Sequence, residues 1–235
     1  MRLAVIPARG GSKRIPRKNI QPFGGLPMIA WSIRAAIDSA CFDRIIVSTD
    51  DDEIAALAKE YGAEAPFLRP KELSDDHTGT TPVVAHAVQW QLDHGVSASE
   101  VCCLYATAPF VRALDLQHGL TVLEESGADF AFSITSYPFP IQRAVRITEV
   151  GRVEMFQPNQ FQTRSQDLEE AWHDAGQFYW GKAEAWLAGK PLFGPDSAPV
   201  ILPRYRVQDI DTPEDWARAE FMLKALNDAE GLTAR

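Results

Sequence analysis

Short apolar runs alternate along the chain with stretches whose apolar residues recur every three or four positions, the pattern of strands set between amphipathic helices. Leu3 to Ile6 is the first such run. Pro27 then stands at a first helical position, and Ile29, Ile33, Ala36, Ile37 and Ala40 recur behind it at helical spacing. Arg44 to Ser48 predicts a second strand. Asp50 with Glu53 reads as a capping box for a helix running to Tyr61, where Gly62 supplies a left-handed stop. Further strands are expected near Ala65 to Leu68, Val101 to Tyr105 and Phe130 to Ile134, with helices from Pro82 and near Leu116 to Leu123. This βα repetition predicts an α/β fold built on a doubly wound, mostly parallel sheet.

From Tyr137 to Trp172 the rhythm breaks. Pro138 and Pro140 precede a hairpin, Ala144 to Ile147 and Arg152 to Phe156, turned at Gly151, followed by a polar stretch. Residues 137–172 therefore read as an arm inserted into a single domain spanning 1–235. The pattern resumes at Gly176 to Trp180 and ends with Thr212-Pro213-Glu214-Asp215, a capping box with proline at the first helical position.

At 235 residues and 46% hydrophobic content, the chain can close one large core and little more. Its three cysteines cannot all pair, and Cys102 and Cys103 would point to opposite faces of a strand, so a reducing, cytoplasmic setting is expected. The apolar run after Met1 is too short for a signal peptide, and no stretch approaches the ~20 apolar residues of a membrane span. A net charge of -9 argues against nucleic-acid binding. Within the first 37 residues, however, seven basic side chains (Arg2, Arg9, Lys13, Arg14, Arg17, Lys18, Arg34) stand with no acidic one. A local positive pocket in an acidic protein points to a small polyanion.

The basic segment Pro7-Ala8-Arg9-Gly10-Gly11-Ser12-Lys13-Arg14-Ile15-Pro16-Arg17-Lys18-Asn19 follows the first strand directly. Paired glycines there let backbone N–H groups turn toward a ligand, and the strand-to-helix crevice is where open α/β sheets bind theirs. The loop fits neither a Walker A motif nor a dinucleotide fingerprint. A solvated basic loop is the alternative. The run Ile6 to Lys13 followed by Lys18-Asn19 resembles the signature of the CMP-sialic acid synthetases, a family of sugar-acid cytidylyltransferases. The resemblance continues through Ser48-Thr49-Asp50, Arg69-Pro70, Thr107-Ala108-Pro109 and Asp209-Ile210-Asp211. It implies a Rossmann-like nucleotidyltransferase fold, CTP as a substrate, a homodimer joined by the arm, and transfer of CMP to a nine-carbon acidic sugar. By the same resemblance Ala8, Arg9, Gly10, Gly11, Ser12, Lys18 and Asn19 form the nucleotide loop. Arg9 and Lys18 face phosphates, while Arg69 and Thr80 help fix the nucleoside. A surface arginine and a helix-capping threonine remain the plain alternatives for the last two.

Asp209 and Asp211 stand two apart on an expected strand end, which would turn both carboxylates to one side. Such a pair suffices for one Mg²⁺ alongside phosphate oxygens, and the family places metal ligands there. Asp211 could instead merely favour the following helix dipole. Asp209 is also a candidate for deprotonating the sugar hydroxyl, since His86, His94 and His118 fall on helical segments. For the sugar, Arg164 aligns with an arginine that the family contributes from the arm toward the partner subunit, with Arg143 as a second candidate. Tyr105, Thr107 and Gln177 complete the expected sugar contacts. Sialic acid synthetases usually carry glutamine where this chain has Tyr105-Ala106-Thr107. The run His173-Asp174-Ala175-Gly176-Gln177-Phe178-Tyr179-Trp180 resembles the pseudaminic acid branch of the family. Sialic and legionaminic acids remain open as acceptors, as does a non-catalytic nucleotide-sugar module on the same fold.

Overall fold

The computed structural model describes residues 1–229. The chain begins with β1 (Arg2–Pro7), a two-residue β2 (Pro22–Phe23) and β3 (Leu26–Pro27), then α1 (Met28–Ser39), β4 (Arg44–Ser48) and α2 (Asp52–Glu60). It continues through α3 (Thr80–Asp93), β5 (Glu100–Leu104), α4 (Ala113–Ser126) and β6 (Phe130–Ser136). The arm carries β7 (Val145–Ile147) and β8 (Val153–Met155), and the chain closes with β9 (Trp172–Lys182), α5 (Ala183–Leu187), β10 (Ser197–Ile201) and α6 (Pro213–Ala229). One six-stranded sheet, ordered β10-β6-β9-β5-β1-β4, organises the molecule. β1 pairs in parallel with β4 and β5, and β10 in parallel with β6. β9 runs antiparallel to both β5 and β6.

Both faces of the sheet are covered, which is why its central strands are apolar throughout rather than alternating. Cys102, Phe178 and Trp180 face a layer containing Ile29 and Ile33 of α1 and Leu116, Leu120 and Leu123 of α4. Cys103, Tyr179 and Phe130 face the other layer, with Val84 and Val88 of α3 and Trp186 of α5. The adjacent cysteines do point to opposite faces, and all three thiols are free and buried. Among the described residues no helix is long and apolar enough to cross a membrane.

Three local expectations need correction, and one strand lay outside them. Asp51, not Asp50, caps α2 by accepting the N–H groups of Glu53 and Ile54; Asp50 is drawn away to Gly10. Residues 65–68 do not form a strand, because Pro66 cannot donate to a ladder and only single bridges, Ile46 to Glu64 and Thr49 to Leu68, touch β4. Asp209 and Asp211 lie on irregular chain between a 3₁₀ turn at Arg204–Arg206 and α6, not at a strand end. The strand in this region is β10, hidden in the sequence by Pro199 and tolerated because β10 is an edge. The arm hairpin forms as expected around Gly151, at φ +71°. Thr212 and Asp215 complete the reciprocal cap on α6: Asp215 N–H donates to Thr212 Oγ1 at 3.2 Å and Thr212 N–H donates to Asp215 Oδ2 at 2.8 Å.

Candidate active site

Two clefts open along one end of the sheet, the first at the C-terminal ends of β1 and β5 and the second at the C-terminal end of β6 and the start of β9. The first, about 500 Å³, is lined by Arg9, Ser12, Lys13, Arg14, Lys18, Asn19, Arg69, Thr80, Tyr105, Thr107 and Asp211. The second, about 680 Å³, is lined by Thr135, His173, Asp174, Arg204, Gln208, Asp209, Asp211 and Asp215 among others. Asp211 belongs to both walls, so the two spaces meet at its carboxylate.

A third apolar cluster holds the basic loop against the aspartate segment. Ile15 from the loop and Ile210 from between the aspartates pack with Phe23, Met28, Phe110 and Trp216. Phe23 makes edge-on contacts with Trp31, Phe110 and Trp216. With both isoleucines buried, their charged neighbours are left to line the clefts. Lys18 Nζ donates to the Ile210 carbonyl at 2.6 Å and lies 3.2 Å from Asp211. Arg14 reaches the other Asp211 oxygen at 2.9 Å. On the opposite rim Arg9 pairs with Asp76 at 2.5 Å, and Lys13 pairs with the same carboxylate. Lys13 and then Arg9 hold the Asp76 carboxyl down at about 2. Every loop cation facing the cleft therefore meets an acid of the protein itself.

Arg69 differs. It is buried, its nearest acid is Asp50 at 4.0 Å, and its Nε and Nη2 have no hydrogen-bond partner. Burial, with Arg9 close by, lowers its pKa despite Asp50. A buried cation on the wall of a polar cleft carries a charge already desolvated, which suits it to a ligand's acceptors. This rules out the surface-arginine alternative. Thr80 does not cap its helix either: the N-cap is Gly79, and the Thr80 hydroxyl meets the Tyr105 hydroxyl at 2.9 Å.

The glycine turn works otherwise than its composition implied. Gly10 N–H donates to Asp50 Oδ1 at 2.9 Å, and a Cβ at Gly10 would fall 2.7 Å from Asp51 Oδ2, so this glycine is required by the approach of α2. Ala8 is buried and bonded through its N–H to Ser48. Neither these two nor Gly11 lines a cleft. Asn19 lines the first cleft but spends its side-chain N–H on the Arg9 carbonyl at 2.9 Å, fastening the loop to itself. Arg17, at φ +57°, turns away to Asp51 and Glu53, which leaves Lys18 facing inward.

Three expected sugar contacts lie elsewhere. Gln177 is buried behind the wall, where its amide donates to the Arg206 carbonyl at 2.6 Å. Arg206 in turn makes a two-pronged ion pair with Asp115 at 2.5 and 3.0 Å, anchoring the segment that leads to Asp209. Arg143 donates to the Thr163 carbonyl at 2.5 Å, and Arg164 pairs with Asp167 at 2.6 Å on the exposed arm; within one chain neither reaches a cleft. Conversely, composition gave no role to Asp76, Asp174 or Tyr179. Their sequence neighbours carry no metal or nucleophile spacing that would have singled them out.

The Asp209 and Asp211 pair does have the chemistry of a hard-cation site. Burial, then the neighbouring Asp211 carboxylate, raise the proton affinity of Asp209, with Asp215 and Asp174 adding to it and Lys18 opposing. Burial and the neighbouring carboxylates both disfavour the charged form of Asp209, and a divalent cation held there would offset both.

Residues 3–192 match the family model described as cytidylyltransferase. The chain belongs to this family of CTP-using nucleotidyltransferases. It is 46% identical, over 94% of its length and 96% of the relative's, to a pseudaminic acid cytidylyltransferase of Campylobacter jejuni. It is 30% identical to a CMP-N,N'-diacetyllegionaminic acid synthase of Legionella pneumophila, covering 97% of this chain and 98% of that one. An N-acylneuraminate cytidylyltransferase of Danio rerio is 32% identical over 93% of this chain and 50% of that protein. Among solved structures, a CMP:2-keto-3-deoxy-manno-octonic acid synthetase complexed with CTP shares the fold, with a TM-score of 0.68, 18% identity, and coverage of 96% of this chain and 99% of that one.

The Asp209 shift carries a pH signature. Because folding raises this carboxyl's pKa, it contributes stability below the ordinary aspartate range, about pH 4, and that contribution is lost as pH rises through the folded value. In the presence of a chelator, Asp209→Asn is expected to melt higher than the parent protein at pH 7, with the gain shrinking toward pH 4. Thermal melts across that range check it, and a gain that grows on acidification would contradict the assignment.

Proposed function

We propose that this cytidylyltransferase transfers CMP from CTP to the anomeric hydroxyl of pseudaminic acid, releasing pyrophosphate. The observation that carries the reaction is the meeting of two clefts at Asp211, one cationic and one acidic. The observation that carries the acceptor is the 46% identity to the Campylobacter jejuni enzyme over nearly the whole chain. Legionaminic and N-acetylneuraminic acids form the second reading, favoured by the relatives named for them at 30% and 32% identity.

In this reading CTP takes the first cleft, its triphosphate displacing Asp76 from Arg9 and Lys13 while Arg69 and Thr80 receive the nucleoside. Lys18 stays anchored to the Ile210 carbonyl and presents its charge where pyrophosphate departs, which favours the transition state over the ground state. The sugar occupies the second cleft. Its anomeric oxygen bonds to the α-phosphorus as the bond to the β-phosphate oxygen breaks, and Asp209 takes the hydroxyl proton. Asp209 and Asp211 would hold Mg²⁺, which when bound screens phosphate charge.

The arm is read as a dimer element. Ile147, Val150 and Val153 are each more than 70% exposed around the hairpin, and Phe156 and Phe161 are exposed beside them, an apolar surface suited to a second copy of the chain. Arg164 then serves the partner's sugar cleft. The same reading puts the protein in the cytoplasm, where its three free thiols stay reduced.

The deciding experiment measures pyrophosphate release with CTP against pseudaminic, legionaminic and N-acetylneuraminic acids. Pseudaminic acid is expected to give the highest kcat/KM, and a higher value for either competitor reassigns the acceptor. Lys18→Ala is expected to lower kcat/KM by roughly a hundredfold or more with a melting temperature close to the parent's; undiminished turnover removes Lys18 from the reaction. Arg164→Ala should raise KM for the sugar while leaving KM for CTP in place, in a protein whose light-scattering mass is that of two chains. A monomeric mass or a CTP-selective defect would undo the trans assignment.

A further inference from the structure

A line of hydroxyl groups passes through the wall between the two clefts. Thr80, on the rim of the first cleft, has its Oγ1 2.9 Å from the Tyr105 hydroxyl. Tyr105 and Tyr179 come together behind it, their rings tilted by 49° with centroids 5.2 Å apart. Tyr179 donates to Asp174 Oδ2 at 2.5 Å, and Asp174 lines the second cleft. The Gly176 N–H donates to the other carboxylate oxygen at 2.9 Å.

An ionised carboxylate only accepts, so the Tyr179 proton points to Asp174. Burial pushes the Tyr179 phenol up, so it keeps its proton and remains a donor. Asp174 thus has one oxygen held by a phenol and the other by a backbone amide, while a carboxylate offers about four acceptor positions. The unused positions face the second cleft beside Asp209.

We propose that Asp174 is the carboxylate that reads a hydrogen-bond donor of the acceptor sugar, a ring hydroxyl or an acylamino N–H, and that Tyr179 is its positioning residue. The inference rests on the second cleft being the sugar site. The Tyr105 ring packs against Tyr179 from the side of Thr80 and supports it there.

Tyr179→Phe removes one hydroxyl and keeps the ring, so it tests the line with the packing intact. Expected are a KM for the sugar raised roughly tenfold, the loss of a hydrogen bond to a charged group, and a Kd for CTP alone, measured by calorimetry, within about twofold of the parent's. Asp174→Asn should raise the sugar KM at least as far. The double variant Tyr179→Phe with Asp174→Asn should be no worse than Asp174→Asn, because the two act in series. Should Asp174→Asn fail to fold, Tyr179→Phe alone decides, by the split between the sugar KM and the CTP Kd. An unchanged sugar KM, equal losses for sugar and CTP, or fully additive effects overturn the proposal. If the parent protein is inert toward every acidic sugar, the substrate reading falls and this inference with it; if the parent is active and the variants match it, this inference alone falls.

Discussion

The active-site geometry depends on one apolar contact between two segments nearly the whole chain apart. Ile15 and Ile210 share a cluster with Phe23, Phe110 and Trp216, and Ile210 is fully buried there. Apolar burial is worth about 25 cal/mol per Å² and has no preferred direction, so by itself it would not orient anything. Orientation comes from what burial leaves outside. With Ile210 inward, Asp209 and Asp211 are left at the clefts; with Ile15 inward, Arg14 flanks the same opening. The Lys18 ammonium then closes the seam on the Ile210 carbonyl. A hydrophobic contact sets the distance, and a single hydrogen bond sets the register.

Against that seam the electrostatics divide into two kinds. The pairs of Asp76 with Arg9 and Lys13, and of Asp211 with Arg14, are open to solvent, where screening leaves such pairs worth little. They keep the loop cations from repelling one another without holding them so firmly that a triphosphate could not exchange in. Arg69 is of the other kind. Its charge is already desolvated by the fold and its nearest acid is 4.0 Å away, so the cost has been met before any ligand arrives. Exchangeable cations at the rim and a committed one at the base suit a polyanion with a neutral base at its inner end.

Much of this was legible in the chain itself. The βα rhythm gave the sheet, Thr212 to Asp215 gave the α6 cap, and the excess of basic residues before Asp38 gave the cationic rim. What could not be read was anything set by pairing across the fold. Asp50 and Asp51 are adjacent and chemically alike, and the exchange of their roles follows only from Gly10 approaching α2. Gln177 carries an amide suited to a sugar, yet the backbone of Arg206 lies closer. Periodicity likewise cannot show that β9 runs against its neighbours, because an apolar strand buried on both faces has the same composition in either direction.

That reversed strand has consequences at the site. Between Phe132 and Ile134 of β6, the pairing on β9 jumps from Tyr179 to Asp174, with Gly176 at φ +62° in the gap. The bulge takes four residues of β9 out of the ladder with β6 and brings Asp174 back onto the hydroxyl of Tyr179, although a regular strand would space their Cα atoms roughly 16 Å apart at about 3.3 Å per residue. The same displacement hollows the sheet end beside β6, where the second cleft lies. In-line transfer needs the attacking and departing groups on opposite sides of one phosphorus. A doubly wound sheet by itself supplies one crevice, and here the bulge in the reversed strand supplies the second, with Asp211 between them.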